Sequence, residues 1–326
     1  MTGHYRHLPR LGLLLWPQQA DWADMRATVE AADAAGYDSL WTWDHLYAIR
    51  GPALQPIFEG WTTIAAWAAI TSRPTLGLMV GATTFRNPGL VANSAITVDH
   101  VSGGRCVLGL GGAWFGEEHE AHGIDFFSGF GERLDHLDEA VSAISRLFRG
   151  ETVDSPEDGH YDLRGLQLLP GPVRGPGRLP ILIGGSGEKK TLRTVARYAD
   201  AWNSAGSVEG LKHKIEVLAG HCDVERRDMA EIEFTLSAQI VIRDDAAEAR
   251  RVLGAAKAHN GEGSGEPAGA DEGWFGPPEA IAERWRPYLE LGFTHLIGDL
   301  LTPYDRETVE RLVEVRELVQ AQELVR

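Results

Sequence analysis

Short apolar runs alternate with amphipathic stretches along almost the whole chain. Runs at 11–15, 38–41, 75–80, 106–110, 179–183, 201–202, 232–242 and 294–297 have the length and residue types of buried strands. Apolar positions recur at helical spacing over 21–35, 61–71, 88 to about 101, 132–148, 188–198, 208–226, 244–258, 277–291 and 305–324. Gly36 stands where the first helix stops, and Pro88 can open the third. Eight short strands, each followed by helix, predict an α/β fold: a (β/α)8 TIM barrel. A doubly wound open sheet would carry a Gly-rich turn after its first strand, whereas here that strand ends LLLWPQQ.

Two stretches break the rhythm. Residues 151–179 are rich in Gly and Pro, with alternation over 161–169, and read as an excursion carrying a small hairpin outside the main sheet. Residues 261–273 are rich in Gly, Glu and Ala and read as a mobile loop. No fixed-period repeat or separating linker is seen, so 1–326 is expected to be one domain.

Composition narrows the function. A 43% hydrophobic and 24% charged chain is ordinary for a globular protein. The formal net charge of -16 argues against nucleic acid, which selects a basic face. The two cysteines, Cys106 and Cys222, cannot build a disulfide framework and fit a reducing cytoplasm. The first ten residues are polar, the run 11–16 is too short for a signal core, and no run is long enough for a membrane span.

Candidate chemistry gathers at strand ends. In 105–126, RCVLGLGGAWFGEEHEAHGIDF, an apolar run breaks at Gly111-Gly112 and leads through Trp114 and Phe115 to Glu117, Glu118, His119, Glu120 and His122. This is the pattern of an active-site rim; the bland alternative is a Gly-rich turn with a solvated acidic helix start. Asp44-His45 follows the second strand, where a histidine can exchange a proton near neutral pH. A helix-capping Asp beside an incidental His is the other reading. Gly184-Gly185-Ser186-Gly187 precedes a helix and could hold an anion on its backbone N–H groups, or be a plain turn. A metal site is not expected: His119-Glu120-Ala121-His122 lacks the i, i+4 spacing of a metalloprotease helix, and His4 and His7 lie in a polar tail. There is no GxSxG elbow.

SLWTWDH (39–45), LGLMVGATTFRNP (76–88), VDHVSGGRCVLGLGGAWFGEEHEAHGIDF (98–126), LPILIGGSGEKKTLRTVARYADAWN (179–203) and GPPEAIAERWRPYLELGFTHLI (276–297) together resemble the luciferase-like monooxygenase superfamily, in its coenzyme F420-dependent oxidoreductase branch. The resemblance runs in order through nearly the whole chain. It implies a TIM barrel with an excursion at 151–179 and a deazaflavin ring in the barrel mouth. It further implies that Asp44 contacts the cofactor and that His45 is the acid/base or charge-stabilising group. A non-prolyl cis peptide at Met79-Val80, ahead of Gly81, would lie against the ring. Gly112, Ala113 and Trp114 would flank the cofactor, and Gly185, Ser186 and Gly187 would take its phosphate side.

One departure matters. Sugar-phosphate dehydrogenases of this family carry a glutamate where Trp114 aligns, and Trp cannot act as that acid. With Trp61 and Phe126, Trp114 suggests an apolar or aromatic substrate instead. The expected reaction is hydride transfer between reduced F420 and a small organic substrate, with His45 moving a proton. The alternatives are an FMN-dependent monooxygenase fed reduced flavin by a separate reductase, and a non-catalytic flavin or deazaflavin carrier. The expected partners are a small-molecule substrate and a second copy of the chain, with neither nucleic acid nor membrane.

Overall fold

The computed structural model describes residues 8–262 and 273–323. His4, His7, most of the 261–273 stretch and Leu324 lie outside them. The chain begins with β1 (Arg10–Leu15), α1 (Trp22–Ala35), β2 (Ser39–Thr42), α2 (Gly60–Ile70), β3 (Thr75–Leu78), β4 (Gly81–Ala82) and α3 (Pro88–Ser102). It continues with β5 (Cys106–Gly111), α4 (Gly116–His122), α5 (Phe130–Phe148), β6 (Ile181–Gly184), α6 (Thr191–Tyr198), β7 (Ala201–Ser204) and α7 (Val208–Glu225). It closes with β8 (Glu233–Ile242), α8 (Ala246–His259), β9 (Trp274–Gly276), α9 (Pro278–Glu290), β10 (Phe293–Leu300) and α10 (Arg306–Glu323).

Eight parallel strands close in the order β1-β2-β3-β5-β6-β7-β8-β10 and back to β1. Helices pack around them, so each strand is buried on both faces and reads as a continuous apolar run. The helix ends are set locally. Asp21 caps α1 by accepting from the N–H groups of Ala23 and Asp24, and Gly36 closes it at φ 86°. Asn87 caps α3 with Pro88 behind it, and Gly103 ends it at φ 71°. Among the described residues, no helix is long and apolar enough to cross a membrane.

Several expectations are corrected. The run 75–80 is not one strand: β3 stops at Leu78, Met79-Val80 is a cis peptide, and β4 resumes against β5. The excursion's hairpin is small and irregular, outside the main sheet as expected. It has a single antiparallel bridge, Val153 to Leu166, extended only by Ser155 N–H to the Leu163 carbonyl at 2.9 Å. It places Leu163 and Leu168 in the core. The helix after the Gly-rich loop starts at Thr191, not 188. Lys190 supplies no side-chain cap and reaches instead to Asp135 at 2.6 Å. A short strand was missed: β9 pairs with Ile240–Ile242, the end of β8 beyond the barrel.

The interior is closed by glycines where strands approach. A Cβ on Gly109 would overlap the Leu78 carbonyl oxygen. On Gly111 it would stand 2.6 Å from Val80 Cγ2, and on Gly184 2.8 Å from Val80 Cγ1. Val80 therefore occupies the room that glycines on β5 and β6 leave.

A polar thread runs through the barrel floor. Arg10 Nη1 donates to Glu233 at 2.9 Å, His295 Nδ1 lies 3.5 Å from the same carboxylate, and His295 Nε2 meets Ser39 Oγ at 2.8 Å. Ser39 Oγ also accepts from the Trp41 indole at 2.7 Å. Burial alone would raise the Glu233 carboxyl; His295 and Arg10 outweigh it and hold the group down at about 2.

Two stability predictions follow from this packing. Gly109→Ala has no flexible neighbour to displace, and is expected to cost about 1–3 kcal/mol in a denaturant titration. Because the folded state holds Glu233 below its ordinary 4.5, its contribution is present above that pH and fades as pH falls toward about 2. Glu233→Gln should therefore be less stable than the parent at neutral pH, with the two stability curves converging through that acid window; a constant gap would contradict the assignment.

Candidate active site

The candidate residues come from four consecutive staves of the barrel. Asp44 and His45 follow β2, Met79, Val80 and Gly81 join β3 to β4, Gly112, Ala113 and Trp114 follow β5, and Gly185, Ser186 and Gly187 follow β6. All lie at the C-terminal ends of parallel strands, the end at which barrel loops build sites.

Asp44 is 2% exposed. Its Oδ2 accepts from Arg86 Nη1 at 2.7 Å and from the Ala82 N–H at 3.0 Å, which ties β2 to the short β4. Arg86 Nη2 also donates to Glu59 at 2.7 Å, so the guanidinium bridges two carboxylates. Asp44 Oδ1 is buried with no hydrogen-bond partner. Burial pushes the Asp44 carboxyl up to about 6, against the pull of Arg86 and the Ala82 amide.

His45 is held from one side. Its Nδ1 lies 2.8 Å from Glu118 Oε1, while Glu118 Oε2 accepts from the N–H groups of Leu46 at 2.7 Å and Tyr47 at 3.2 Å. Glu118 is 1% exposed on α4. His45 Nε2 has no hydrogen-bond partner among the described residues. The ring stands edge-on to Trp43, Trp114 and Phe115 at 6.1, 5.6 and 6.2 Å between centroids.

His119, on the same helix, is used differently. Nδ1 lies 2.8 Å from the Phe115 carbonyl and so donates to it. Nε2 meets Thr84 Oγ1 at 2.7 Å. Burial pulls its pKa below the usual histidine value, so the ring is neutral and accepts from the Thr84 hydroxyl. His122 Nδ1 bonds the Glu118 carbonyl at 2.8 Å.

Beneath these groups Trp16, Trp41, Trp43, Met79, Leu182, Ile297 and Leu301 form a second apolar cluster, which Val80 packs against. Ser237 Oγ reaches Met79 Sδ at 3.4 Å, and Asn203 donates to Ser237 Oγ at 3.0 Å. Ala113 adopts a left-handed φ of 53°, and Trp114 beside it is 59% exposed. Trp61, expected with the pocket aromatics, packs instead into the main core on α2. Phe126 lies against the His119 ring at 4.6 Å, with the Arg133 guanidinium 3.8 Å from its centroid. In the Gly-rich loop Gly185 has φ 112°, its carbonyl accepts from the Trp202 indole at 2.7 Å, and its N–H donates to Asn203. Ser186 is half-buried and Gly187 exposed.

Sequence reasoning missed four groups that hold the others. Arg86 lies inside the quoted 76–88 motif but was given no role, Glu59 lies outside every quoted motif, and Glu118 was one acid among several. Its signal was helical spacing: Glu118 and His119 turn inward while Glu117 and Glu120 face out. Asp299, at the end of β10, accepts from the Trp16 indole at 2.6 Å, and burial pushes its carboxyl up to about 6.

The family model for luciferase-like monooxygenases matches residues 1–325. An F420-dependent hydroxymycolic acid dehydrogenase of Mycobacterium tuberculosis is 28% identical over 243 residues, covering 74% of this chain and 65% of that protein. A phthiodiolone/phenolphthiodiolone dimycocerosates ketoreductase of Mycobacterium bovis is 29% identical over 196 residues, covering 54% of this chain and 49% of that one. The chain spans about half the length of the curated relatives it matches first, uncharacterized mycobacterial proteins 32% identical over 145 residues, or 44% of this chain. In structure, an F420-dependent secondary alcohol dehydrogenase in complex with an F420-acetone adduct superposes with a TM-score of 0.80 at 17% identity, covering 96% of this chain and 99% of that one. The oxygenating constituent of 3,6-diketocamphane monooxygenase from Pseudomonas putida, in complex with FMN, gives 0.72 at 15% identity, covering 97% and 99%. At these identities the superpositions establish the barrel, and the family model establishes the rest: the chain belongs to the luciferase-like monooxygenases.

Proposed function

We propose that this protein is an F420-dependent oxidoreductase that passes a hydride between the deazaflavin and a small apolar or aromatic substrate. The observation that carries the reading is Asp44 Oδ1, buried and unpartnered next to a histidine whose Nε2 is free. A buried carboxylate oxygen without a donor is costly, and a ring N–H or hydroxyl of a bound cofactor would satisfy it. The names of the relatives support F420 over FMN.

The residues fit such a group. Asp44 would accept from it, Met79, Val80 and Gly81 would back it, and Gly112, Ala113 and Trp114 would border it. In the Gly185, Ser186 and Gly187 loop, Ser186 and Gly187 would take its phosphate on backbone N–H groups and the Ser186 hydroxyl, while Gly185, whose own N–H is held by the Asn203 carbonyl, would shape the turn. When bound, the deazaflavin supplies or accepts the hydride. His45 moves the accompanying proton through Nε2, with Trp43, Trp114 and Phe115 set edge-on around its ring. Trp114, large, apolar and mostly exposed beside His45, is the surface that an apolar substrate would cover.

Parallel titration with F420 and FMN tests the cofactor: F420 binding is expected, and binding of FMN alone would replace this reading with flavin-dependent oxygenation. His45→Asn should bind F420 nearly as well as the parent yet slow single-turnover oxidation of bound F420H2 by at least ~100-fold. A parental rate would remove His45 from the chemistry. Ser186→Asp puts a negative charge where the phosphate would lie, and should weaken F420 binding sharply; unchanged affinity would move the phosphate elsewhere.

A further inference from the structure

Glu118 has a more specific task than holding a loop. An ionised carboxylate only accepts hydrogen bonds. Its Oε2 is committed to two backbone donors, the N–H groups of Leu46 and Tyr47, which cannot reverse their role. Its Oε1 faces His45 Nδ1 at 2.8 Å and has the same acceptor character. The contact is satisfied only when the proton of the neutral imidazole sits on Nδ1. The lone pair is then on Nε2, the nitrogen with no partner among the described residues.

We propose that Glu118 is a positioning residue that fixes His45 in the Nδ1–H tautomer, so that Nε2 is the atom exchanging protons with substrate. The proposal rests on the reading of His45 as the acid/base. With oxidised F420 bound to take the hydride from a substrate C–H, His45 Nε2 would accept the proton of the same substrate's O–H. The imidazole becomes imidazolium, with its positive charge against the Glu118 carboxylate. In the reductive direction Nε2–H returns that proton and the Nδ1–H form is restored. Glu118 touches neither reactant.

The other groups near this pair are already engaged. His119 bonds Phe115 and Thr84, and His122 bonds the Glu118 main chain rather than its carboxylate. Asp44 is paired with Arg86, which also holds Glu59. Arg133, from α5, lies over Phe126 and Phe130. Among the described residues, Glu118 is the only side chain hydrogen-bonded to the His45 ring.

Glutamine at this position separates the tautomer from the packing. The Leu46 and Tyr47 donors keep the amide oxygen on their side and turn the NH2 toward His45. Nδ1 must then accept, and the ring proton moves to Nε2. The shape is kept while the reactive nitrogen is blocked.

The test is imidazole NMR on the cofactor-free, 15N-histidine-labelled protein at about pH 8, above the ordinary histidine range, with His45 assigned by its loss in His45→Asn. The parent is expected to show His45 protonated on Nδ1, and Glu118→Gln to show it protonated on Nε2. The same variant should slow single-turnover hydride transfer about 10–100-fold, by analogy with the cost of losing the partner that orients a metal-bound histidine, with F420 affinity retained. An Nε2–H ring in the parent overturns the proposal, and so does Glu118→Gln that keeps the Nδ1–H ring, whatever its rate. If Glu118→Gln does not fold, the parent spectrum decides alone. Parental hydride transfer in His45→Asn removes the acid/base reading while the tautomer result stands, so the two failures are distinct.

Discussion

The mouth of this barrel depends on one steric constraint: three staves come together where there is no room for a side chain except Val80. Glycines at 109, 111 and 184 make that room on β5 and β6. The seat lets β3 end early and β4 resume in register with β5, and that resumption puts the Ala82 amide against Asp44. From there the order passes outward through Arg86 to Glu59 at the start of α2. A packing decision deep in the sheet thus sets where a buried carboxylate stands.

The charges around the mouth are arranged in two separate systems. Asp44, Arg86 and Glu59 form one, in which a single guanidinium serves two carboxylates and one oxygen is left over. Glu118, His45 and the Leu46 and Tyr47 amides form the other, in which every carboxylate lone-pair direction in use meets a donor. The first has unfilled capacity for a hydrogen-bond donor, and the second is complete except at Nε2. A buried polar network is stable when satisfied and expensive when it is not. Asp44 Oδ1 and His45 Nε2 are thus the positions in these two systems that a bound molecule could still pair.

Much of the barrel could be read from the chain because each stave is a short apolar run bracketed by Gly, Pro or a charged residue. The positions of Asp44, His45, Gly112 and Ser186 could be read for the same reason, since each lies a few residues past a stave. Other features depend on contacts that no local pattern encodes. Glu117 and Glu118 are neighbours of one residue type, and only the roll of α4 against the 44–47 loop makes one solvated and the other buried. Arg86 finds its partners 42 and 27 residues away in sequence. The alternation at 161–169 belongs to a strand-like segment that pairs with Val153 and Ser155 but breaks step at Gly165, so that Leu163 and Leu168, five residues apart, are the buried ones. The three residues of β9 were too few to register as a run, and their partner is an extension of β8 beyond the barrel.

Glu118 also links two things usually treated apart. The carboxylate that engages the imidazole is the one that anchors the backbone at Leu46 and Tyr47, where the long 46–59 segment leaves the barrel. That segment cannot leave the rim at its root without breaking both of those hydrogen bonds. With the segment freed at its root, the carboxylate would keep the imidazole as its one remaining hydrogen-bond partner, so the seat of the loop and the seat of the ring are a single group on α4.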